Sequence, residues 1–183
     1  MKVICGIDAS TSCTALSILD ISGNVLFVDK CEISKLKTDD LYAKVTHAVN
    51  FIIEKLEPYR NDLLSVGVEE PVKRFTMGAS SANTIITLCV FNFAVCYELS
   101  KILKMRPEHI TASTARKSFG AKFAKGTNSK DKKEVIRQMC ASKWPSLTWP
   151  TNRNDNLHQW NYDIADSLVI SEYFRRQHVG KNK

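Results

Sequence analysis

The chain has 183 residues, of which 44% are hydrophobic and 25% are charged, and these proportions are typical of one globular domain. Its length suffices for a hydrophobic core without disulfides or structural zinc, and it excludes two full-size α/β domains around a cleft. No run approaches the roughly 18 to 20 consecutive apolar residues of a membrane span, and the first apolar run meets Asp8 too early for a signal peptide. We therefore expect one domain over residues 1–178, a short basic tail over residues 179–183, and an intracellular protein without membrane attachment.

The six cysteines form no Cys-x-x-Cys pair and lie mostly within apolar runs. They are Cys5, Cys13, Cys31, Cys89, Cys96 and Cys140. This arrangement predicts reduced, buried thiols and no zinc site.

The net charge of +7 is concentrated in one segment of the sequence. Residues 101–143 hold 12 Lys or Arg against 3 acids, whereas the rest of the chain is slightly acidic. Basic charge focused on one part of a nearly neutral body favours a polyanion partner, with nucleic acid as the first candidate. A solvated lysine-rich surface would have the same composition, so charge alone leaves both interpretations open.

The first part of the chain has the pattern of three strands, a helix and a fourth strand. The strand-like runs are Val3 to Asp8, Thr14 to Asp20 and Asn24 to Ile33, with a turn at Ser22-Gly23. The apolar period then becomes helical up to about Glu57, with Thr38 and Asp39 available as N-terminal caps. Residues 63–68 are almost wholly apolar, as in a strand buried on both faces.

The second part predicts a long apolar helix from Ser80 to about Leu103. After it, the sequence predicts a fifth strand over residues 109–112, a short helix capped by Ser113, a helix from Ser129 to Met139, and a last helix over residues 162–177. The order β-β-β-α-β-α-β-α is typical of an α/β domain with a mixed five-stranded sheet flanked by helices.

Acidic residues follow the ends of two predicted strands and begin the last helix. Asp8 ends the first strand, Glu69 and Glu70 end the fourth, and Asp163 and Asp166 lie on one face of the last helix. If the first and fourth strands are parallel neighbours, their carboxyl ends meet, and four carboxylates can converge there. Such carboxylates repel one another unless a multivalent cation compensates their charge. Oxygen ligands without Cys or His favour Mg²⁺ or Mn²⁺, and two such ions can support phosphodiester hydrolysis.

Three motifs in this order resemble the RuvC family of Holliday-junction resolvases in the ribonuclease H-like superfamily. They are Gly6-Ile7-Asp8 with Ser10-Thr11 and Thr14, Val66-Gly67-Val68-Glu69, and Asp163-Ile164-Ala165-Asp166-Ser167-Leu168. The resemblance implies a ribonuclease H-like fold and a nuclease that cleaves four-way DNA junctions with paired, symmetric nicks. It also implies that Asp8, Glu69, Asp163 and Asp166 are catalytic and hold two Mg²⁺ ions, for which Mn²⁺ can substitute.

The sequence departs from the family pattern at two places. Family members often carry Pro-Gly after the first Asp, whereas this chain has Ala9-Ser10, and the segment after Glu69 contains extra residues. A divergent viral or organellar branch would fit these departures, with a cytoplasmic or nucleoid-associated location, or the host cytoplasm for a viral protein. The strand pattern does not separate Glu69 from Glu70, and only the family motif favours Glu69.

Basic residues in the later segment match DNA-contacting positions of the family. Lys132 matches the lysine near the scissile phosphate by its distance from Val135, and Arg116-Lys117 corresponds loosely to another family lysine. A lysine near the phosphate would neutralise developing charge. Further DNA contacts are expected from four lysines of the same segment: Lys122, Lys125, Lys130 and Lys133. A solvated helix face is the alternative interpretation.

Phe75 stands beside Lys73 and Arg74 in the segment after Glu69. The family places an aromatic residue against junction bases in this region, and an aromatic side chain beside cations can stack on an unpaired base. A Phe packed beneath its own segment is an equal alternative.

The helix 80–103 carries more apolar surface than one sheet face can cover. The family resemblance implies a two-fold partner, so we expect a homodimer through this helix, with branched DNA as the substrate. Packing within one chain is the alternative.

Two other functions share parts of these motifs. Gly6-Ile7-Asp8-Ala9-Ser10-Thr11 also resembles the phosphate-binding hairpin of sugar kinases and other actin-like ATPases, but those enzymes close nucleotide between two such domains, and this chain has room for one. A different ribonuclease H-like nuclease, acting on RNA–DNA hybrid or another branched substrate, would use the same acids. A catalytically silent DNA-binding module is disfavoured by the four acids.

Overall fold

Five strands form one mixed sheet in the order β3-β2-β1-β4-β5. The computed structural model describes residues 1–71 and 82–181. The strands are β1 (Val3–Ala9), β2 (Thr14–Asp20), β3 (Val25–Cys31), β4 (Leu63–Glu69) and β5 (Glu108–Ile110). The helices are α1 (Leu41–Leu56), α2 (Ala82–Leu103), α3 (Ala112–Phe119), α4 (Ser129–Lys143) and α5 (Trp160–Lys181), with short 3₁₀ turns at Ile33–Leu36 and Glu57–Asp62.

The predicted α/β domain with a five-stranded mixed sheet flanked by helices is confirmed. β1 pairs antiparallel with β2 and parallel with β4, and β4 pairs parallel with β5. Because β1 and β4 are parallel neighbours, their carboxyl ends lie at the same edge of the sheet. The predicted convergence of the acidic residues depended on this parallel pairing.

The sheet separates two hydrophobic clusters. Alternate residues of β1 (Val3, Cys5 and Ile7) pack with α1 and α2 on one face. Ile4 of the same strand packs with residues of α3, α4 and α5 on the other face. Val66 and Val68 of β4 belong to the first cluster, so Gly67 and Glu69 face α5. This alternation places Asp8 and Glu69 on the α5 face of the sheet.

Two glycines let α5 approach the sheet closely. A Cβ on Gly6 would overlap the main chain of Ser167 and lie 2.5 Å from the nitrogen of Ser171, and a Cβ on Gly67 would overlap the ring of Phe174. Gly6 and Gly67 are partners in the parallel β1–β4 ladder. The two glycines therefore form one shallow groove into which α5 packs, two residues before each strand's acid.

A buried carboxylate joins α4 to α5. The side chain of Glu172 is 1% exposed and forms ion pairs with Lys143 of α4 at 3.2 Å, Arg175 at 2.7 Å and Arg176 at 2.8 Å. These partners hold the pKa of Glu172 at about 2, although burial opposes this shift. The carboxylate thus remains charged and fixes the C-terminal end of α4 against α5.

Several predicted element limits were wrong. The N-cap of α1 is Asp40 and not Thr38 or Asp39, the N-cap of α3 is Thr111 and not Ser113, and the N-cap of α4 is Asn128 and not Ser129. In each case the capping oxygen accepts a hydrogen bond from a main-chain N–H two or three residues later. The last helix, predicted over residues 162–177, begins at Trp160 and continues to Lys181.

All six cysteines are free. Five are buried and Cys89 is half-buried, as expected for reduced thiols within apolar elements.

Among residues 1–71 and 82–181, one helix, α2, is long and apolar enough to cross a membrane, judged by length and composition alone. In its most apolar stretch, 28% is buried within the protein. Core helices meet the same criterion. Phe91, Val95 and Leu99 are fully buried in the cluster with α1 and the sheet. In contrast, Ile86, Val90, Phe93 and Tyr97 are each at least half exposed. One side of α2 is thus a core surface and the other is an uncovered apolar surface.

Candidate active site

Three carboxylates converge at the carboxyl ends of β1 and β4. Asp8, Glu69 and Asp166 each offer an oxygen, and these oxygens lie within 4.8 Å of one another. Asp8 and Glu69 come from the two parallel strands, and Asp166 comes from α5, which the groove at Gly6 and Gly67 brings close. The side chain of Asp166 is 4% exposed. The structure therefore brings together three of the four acids predicted to hold metal.

Asp163 lies one turn earlier on α5, beside this group. Its Oδ1 accepts a hydrogen bond from the Nζ of Lys133 at 3.3 Å. Its charge also raises the pKa values of Asp8 and Glu69. Asp163 is therefore near enough to interact electrostatically with both strand acids, although it stands outside the tight group of three.

Burial and mutual repulsion perturb the acids strongly. The pKa of Asp8 is raised well above its usual value by burial and then by the charges of Glu69 and Asp166. Burial, followed by the charge of Asp166, raises the pKa of Glu69 to about 7. Burial also raises the pKa of Asp166, although Arg116 and Lys133 oppose that change. The protein thus holds several carboxylates where they are costly to ionise without a compensating cation.

The donor set fits a hard divalent ion. Asp8, Glu69 and Asp166 supply only carboxylate oxygens, which Mg²⁺ and Mn²⁺ prefer over the nitrogen and sulfur ligands of zinc. Grouped oxygens with raised pKa values are what a multivalent cation would stabilise. The residues present are therefore suited to the metal that the sequence predicts.

Two basic side chains partly neutralise the acids. Arg116 of α3 contacts both carboxylate oxygens of Asp166 at 2.8–3.0 Å. Lys133 of α4 lies 3.3 Å from Asp163 and 3.9 Å from Asp166. The four acids and two cations leave an excess of negative charge when all are ionised, so the site retains attraction for further cations.

The lysine at the acids is Lys133 and not Lys132. The Nζ of Lys132 lies 5.9 Å from the ring centroid of Phe123, whereas Lys133 reaches Asp163. Consecutive helical residues point about 100° apart, so only one of these two can face α5. The structure thus places Lys133, which was expected on the DNA-binding surface, beside the acids, and Lys132, which was matched to the family lysine, away from them.

The other predicted DNA contacts fall into three groups. Lys117, Lys122, Lys125 and Lys130 are exposed, on α3, on the following loop and at the start of α4. Arg116, expected on the same surface, is instead turned inward to Asp166. Lys73, Arg74 and Phe75 lie outside the described residues.

Glu69 is the strand-end acid of the group of three, and a buried asparagine helps to place it. The Nδ2 of Asn92, on α2, donates to the carbonyl oxygen of Glu69 at 3.0 Å, and the Oδ1 of Asn92 lies 2.9 Å from the Nε2 of His109. Asn92 is 1% exposed. Sequence reasoning missed Asn92 and His109, although a single Asn between Phe91 and Phe93 in an apolar helix is a signal for a buried polar role.

Comparisons with solved structures show the same architecture in RuvC. A structure of Thermus thermophilus RuvC in complex with a Holliday junction substrate matches 98% of this chain and 97% of that chain, with a TM-score of 0.65 and 15% sequence identity. Another Thermus thermophilus RuvC structure matches 97% of this chain and 96% of that chain, with a TM-score of 0.64 and 16% identity. No protein-family model matches the sequence, and no curated protein matches it. The chain therefore has the RuvC fold, of the ribonuclease H-like class, over nearly its whole length.

Proposed function

We propose that this protein is a metal-dependent endonuclease that cleaves four-way DNA junctions by paired, symmetric nicks. The observation that carries this proposal is the convergence of Asp8, Glu69 and Asp166, with oxygens within 4.8 Å of one another, in a chain with the RuvC fold. The exposed lysines lie on α3, the following loop and α4, the same segment whose Arg116 and Lys133 reach the acids, and provide a surface for a polyanion. We place its activity inside the cell, where such DNA occurs.

The acids would hold the metal. Asp8, Glu69 and Asp166 would bind directly, and Asp163 would complete a site for two Mg²⁺ or Mn²⁺ ions. When bound, a pair of such ions supplies the charge that activates water and stabilises the leaving oxygen of a phosphodiester. The raised pKa values of the acids mean that metal binding and deprotonation of Glu69 are coupled.

Lys133 would act on the phosphate. Its ammonium is half-buried beside Asp163 and Asp166, and although burial opposes the change, these acids raise its pKa, so it stays protonated. A fixed positive charge at this position favours the negative charge that develops on a phosphate during cleavage. Lys117, Lys122, Lys125 and Lys130 would bind the flanking backbone, and Lys73, Arg74 and Phe75 would contact the junction from the segment after Glu69.

The uncovered side of α2 supports a homodimer. Val90, Ala94 and Tyr97 form, with Leu41 and Tyr42 of α1, a groove of about 410 Å³. Tyr42 is 86% exposed and Tyr97 is 63% exposed, which is unusual for aromatic side chains that lie together. A two-fold partner on this surface would bury them and would present two acidic sites to the two like strands of a junction.

The substrate is tested by comparing three nucleic acids. Purified protein with Mg²⁺ is incubated with a four-way DNA junction, a linear duplex of the same sequence and an RNA–DNA hybrid, with Asp8→Asn protein as the control for contaminating nuclease. We expect metal-dependent cleavage of the junction at symmetric positions and little cleavage of the duplex. Preferential cleavage of the hybrid would instead assign a ribonuclease H activity to the same acids. Binding of ATP without any nuclease activity would support the actin-like alternative.

A further inference from the structure

Arg116 forms a bidentate ion pair with the carboxylate of Asp166. Its Nη2 lies 2.8 Å from both Oδ1 and Oδ2 of Asp166, and its Nε lies 3.0 Å from Oδ1. The side chains are 15% and 4% exposed. Both carboxylate oxygens accept hydrogen bonds from the guanidinium, and both side chains are largely shielded from solvent. This ion pair is therefore of the strong, bidentate kind.

The contact made by Lys133 is weaker by the same measures. Lys133 is 28% exposed and meets Asp163 at 3.3 Å and Asp166 at 3.9 Å, through one nitrogen. Arg116 is also held by its helix: α3 is capped by Thr111 and ends at Gly120, and it packs against α5 through the buried Ala115. Arg116 is therefore the principal counter-ion of Asp166.

This position places Arg116 in competition with a metal ion. Asp166 belongs to the group of three acids whose oxygens lie within 4.8 Å of one another, and an ion bound there would need one of the oxygens that Arg116 now occupies. A guanidinium stays protonated at any ordinary pH, so it cannot give way by losing its proton. It must move, or share the carboxylate with the ion at a cost in repulsion.

We propose that Arg116 is an internal counter-ion that holds Asp166 in the metal-free protein and is released, at least from one oxygen, when a divalent ion binds. This inference rests on the proposed function of the acids as a metal site. The released guanidinium would lie beside the site with free donors in a geometry that suits a phosphate. Arg116 would then be a positioning residue without metal and a phosphate-binding residue with metal, so that DNA contact follows metal loading.

The inference is tested by whether replacing Arg116 strengthens or weakens the binding of Mg²⁺. Mg²⁺ binding is measured by isothermal titration calorimetry, without DNA, for wild-type protein and for Arg116→Met, Arg116→Lys and Arg60→Met. Arg60 also forms an ion pair, with Glu57, but lies in the turn before β4, at the other end of that strand from the acids. Arg60→Met therefore controls for the loss of one positive charge and one ion pair.

We expect Arg116→Met to bind Mg²⁺ about tenfold more tightly than wild type, since a charge-assisted hydrogen bond no longer has to be broken. Arg116→Lys should fall between the two, because an ammonium cannot grip both oxygens, and Arg60→Met should match wild type. Without metal, Arg116→Met should unfold at a lower temperature than wild type, and Mg²⁺ should raise that temperature more than it does for wild type.

The outcomes separate the inference from the function on which it rests. If wild-type protein binds Mg²⁺ and Arg116→Met binds equally or more weakly, Arg116 prepares Asp166 for metal rather than competing with it, and the inference is overturned while the metal site stands. If wild-type protein binds no divalent ion, both fail. If Arg116→Met does not fold without metal, Arg116→Lys takes its place: tighter Mg²⁺ binding than wild type supports the inference, and equal or weaker binding overturns it.

Discussion

The main chain of Ser167 lies directly against Gly6, so that no side chain larger than hydrogen fits between β1 and α5. Gly67 of β4 makes the same approach to Phe174. Each glycine precedes one of the strand-end acids Asp8 and Glu69 by two residues, and residues two apart on a strand face the same side. The depth of the α5 groove and the position of Asp166 above Asp8 and Glu69 are therefore set by the same pair of glycines.

Replacing Gly6 by Ala tests this relationship. The added Cβ must push α5 away, because its nearest neighbours are main-chain atoms, and such overpacking costs about 3 kcal/mol or more of unfolding free energy. A Cβ added to Gly180, near the end of α5, would meet no atom within 4 Å, so Gly180→Ala should be neutral or slightly stabilising, as Ala is in a helix. Chemical denaturation measures both variants. Equal stability of Gly6→Ala and wild type would contradict the close packing.

The acids themselves are tested by charge removal without loss of shape. Asp8→Asn and Asp166→Asn should reduce junction cleavage to background, because each removes a carboxylate oxygen that we propose as a metal ligand. Junction binding, measured by gel shift in Ca²⁺ or EDTA, should survive and can tighten, since negative charge near the phosphates is lost. Wild-type cleavage rates in either variant would refute the site.

Lys133 and Lys132 provide a matched pair on one helix. Lys133→Ala should slow cleavage about 10²-fold with little loss of junction affinity, because its ammonium lies at Asp163 and Asp166. Lys132→Ala should change the rate far less, since its ammonium lies over Phe123. Lys125→Ala, on the exposed loop, should weaken binding and leave the rate at saturating protein unchanged. The three effects are separated by single-turnover kinetics over a range of protein concentrations.

Much of this site follows from the sequence, and the glycine spacing carries more information than the apolar pattern. Because residues 63–68 are almost wholly apolar and lack alternation, the strand pattern gave no choice between Glu69 and Glu70. The repeated Gly-x-acid spacing, in Gly6-Ile7-Asp8 and Gly67-Val68-Glu69, does give one, because it assigns each acid to the face that α5 approaches. The family motif favoured the same residue for a different reason.

The rotation of α4 and the inward turn of Arg116 were not predictable in the same way. A lysine pair such as Lys132-Lys133 is resolved only by which helix face packs on α5. Cys140, seven residues after Lys133 and hence on nearly the same face, contacts the carbonyl oxygen of Ala165. Arg116 lies in a basic segment that predicts a surface, and only tertiary packing of α3 on α5 directs it to Asp166.

The raised pKa values predict an unusual dependence of stability on pH without metal. Glu69 has a pKa of about 7 in the folded protein against about 4.5 when unfolded, so the folded state binds more protons between these values. Stability should therefore fall as pH rises from about 4.5 through 7, and Asp8 and Asp166 act with the same sign. Arg116 and Lys133 reduce the effect on Glu69 without reversing it.

Urea denaturation in EDTA at a series of pH values measures this dependence. Glu69→Gln should flatten the decline, because it removes one of the titrating groups, and Mg²⁺ should suppress it in wild type. Glu172 has the opposite shift, to about 2, so its contribution is complete above about pH 4.5 and adds no slope in this range. A stability that rises with pH in EDTA would show that the acids are not held as the structure has them.

The exposed apolar side of α2 predicts a dimer that light scattering can measure directly. We expect a mass twice the 20.6 kDa of the chain, and Val90→Arg should give a monomer, because Val90 is 50% exposed within the apolar groove. Ser142→Arg adds the same charge at an exposed position of α4, on the opposite side of the sheet, and should remain dimeric. None of the acids proposed to bind metal lines the groove, so the monomer should still bind Mg²⁺.

The dimer also predicts how products form. Two sites held on one junction place both nicks within one binding event, so a supercoiled cruciform plasmid should convert directly to linear DNA with wild-type protein. Val90→Arg should accumulate singly nicked circles, with linear DNA appearing later at a rate proportional to free protein. Because a monomer retains Asp8, Glu69 and Asp166, loss of paired nicking with retention of single nicking would assign the defect to the α2 surface. Direct linearisation by a protein that is monomeric in solution at the assay concentration would contradict an α2 dimer in solution as the source of paired cleavage.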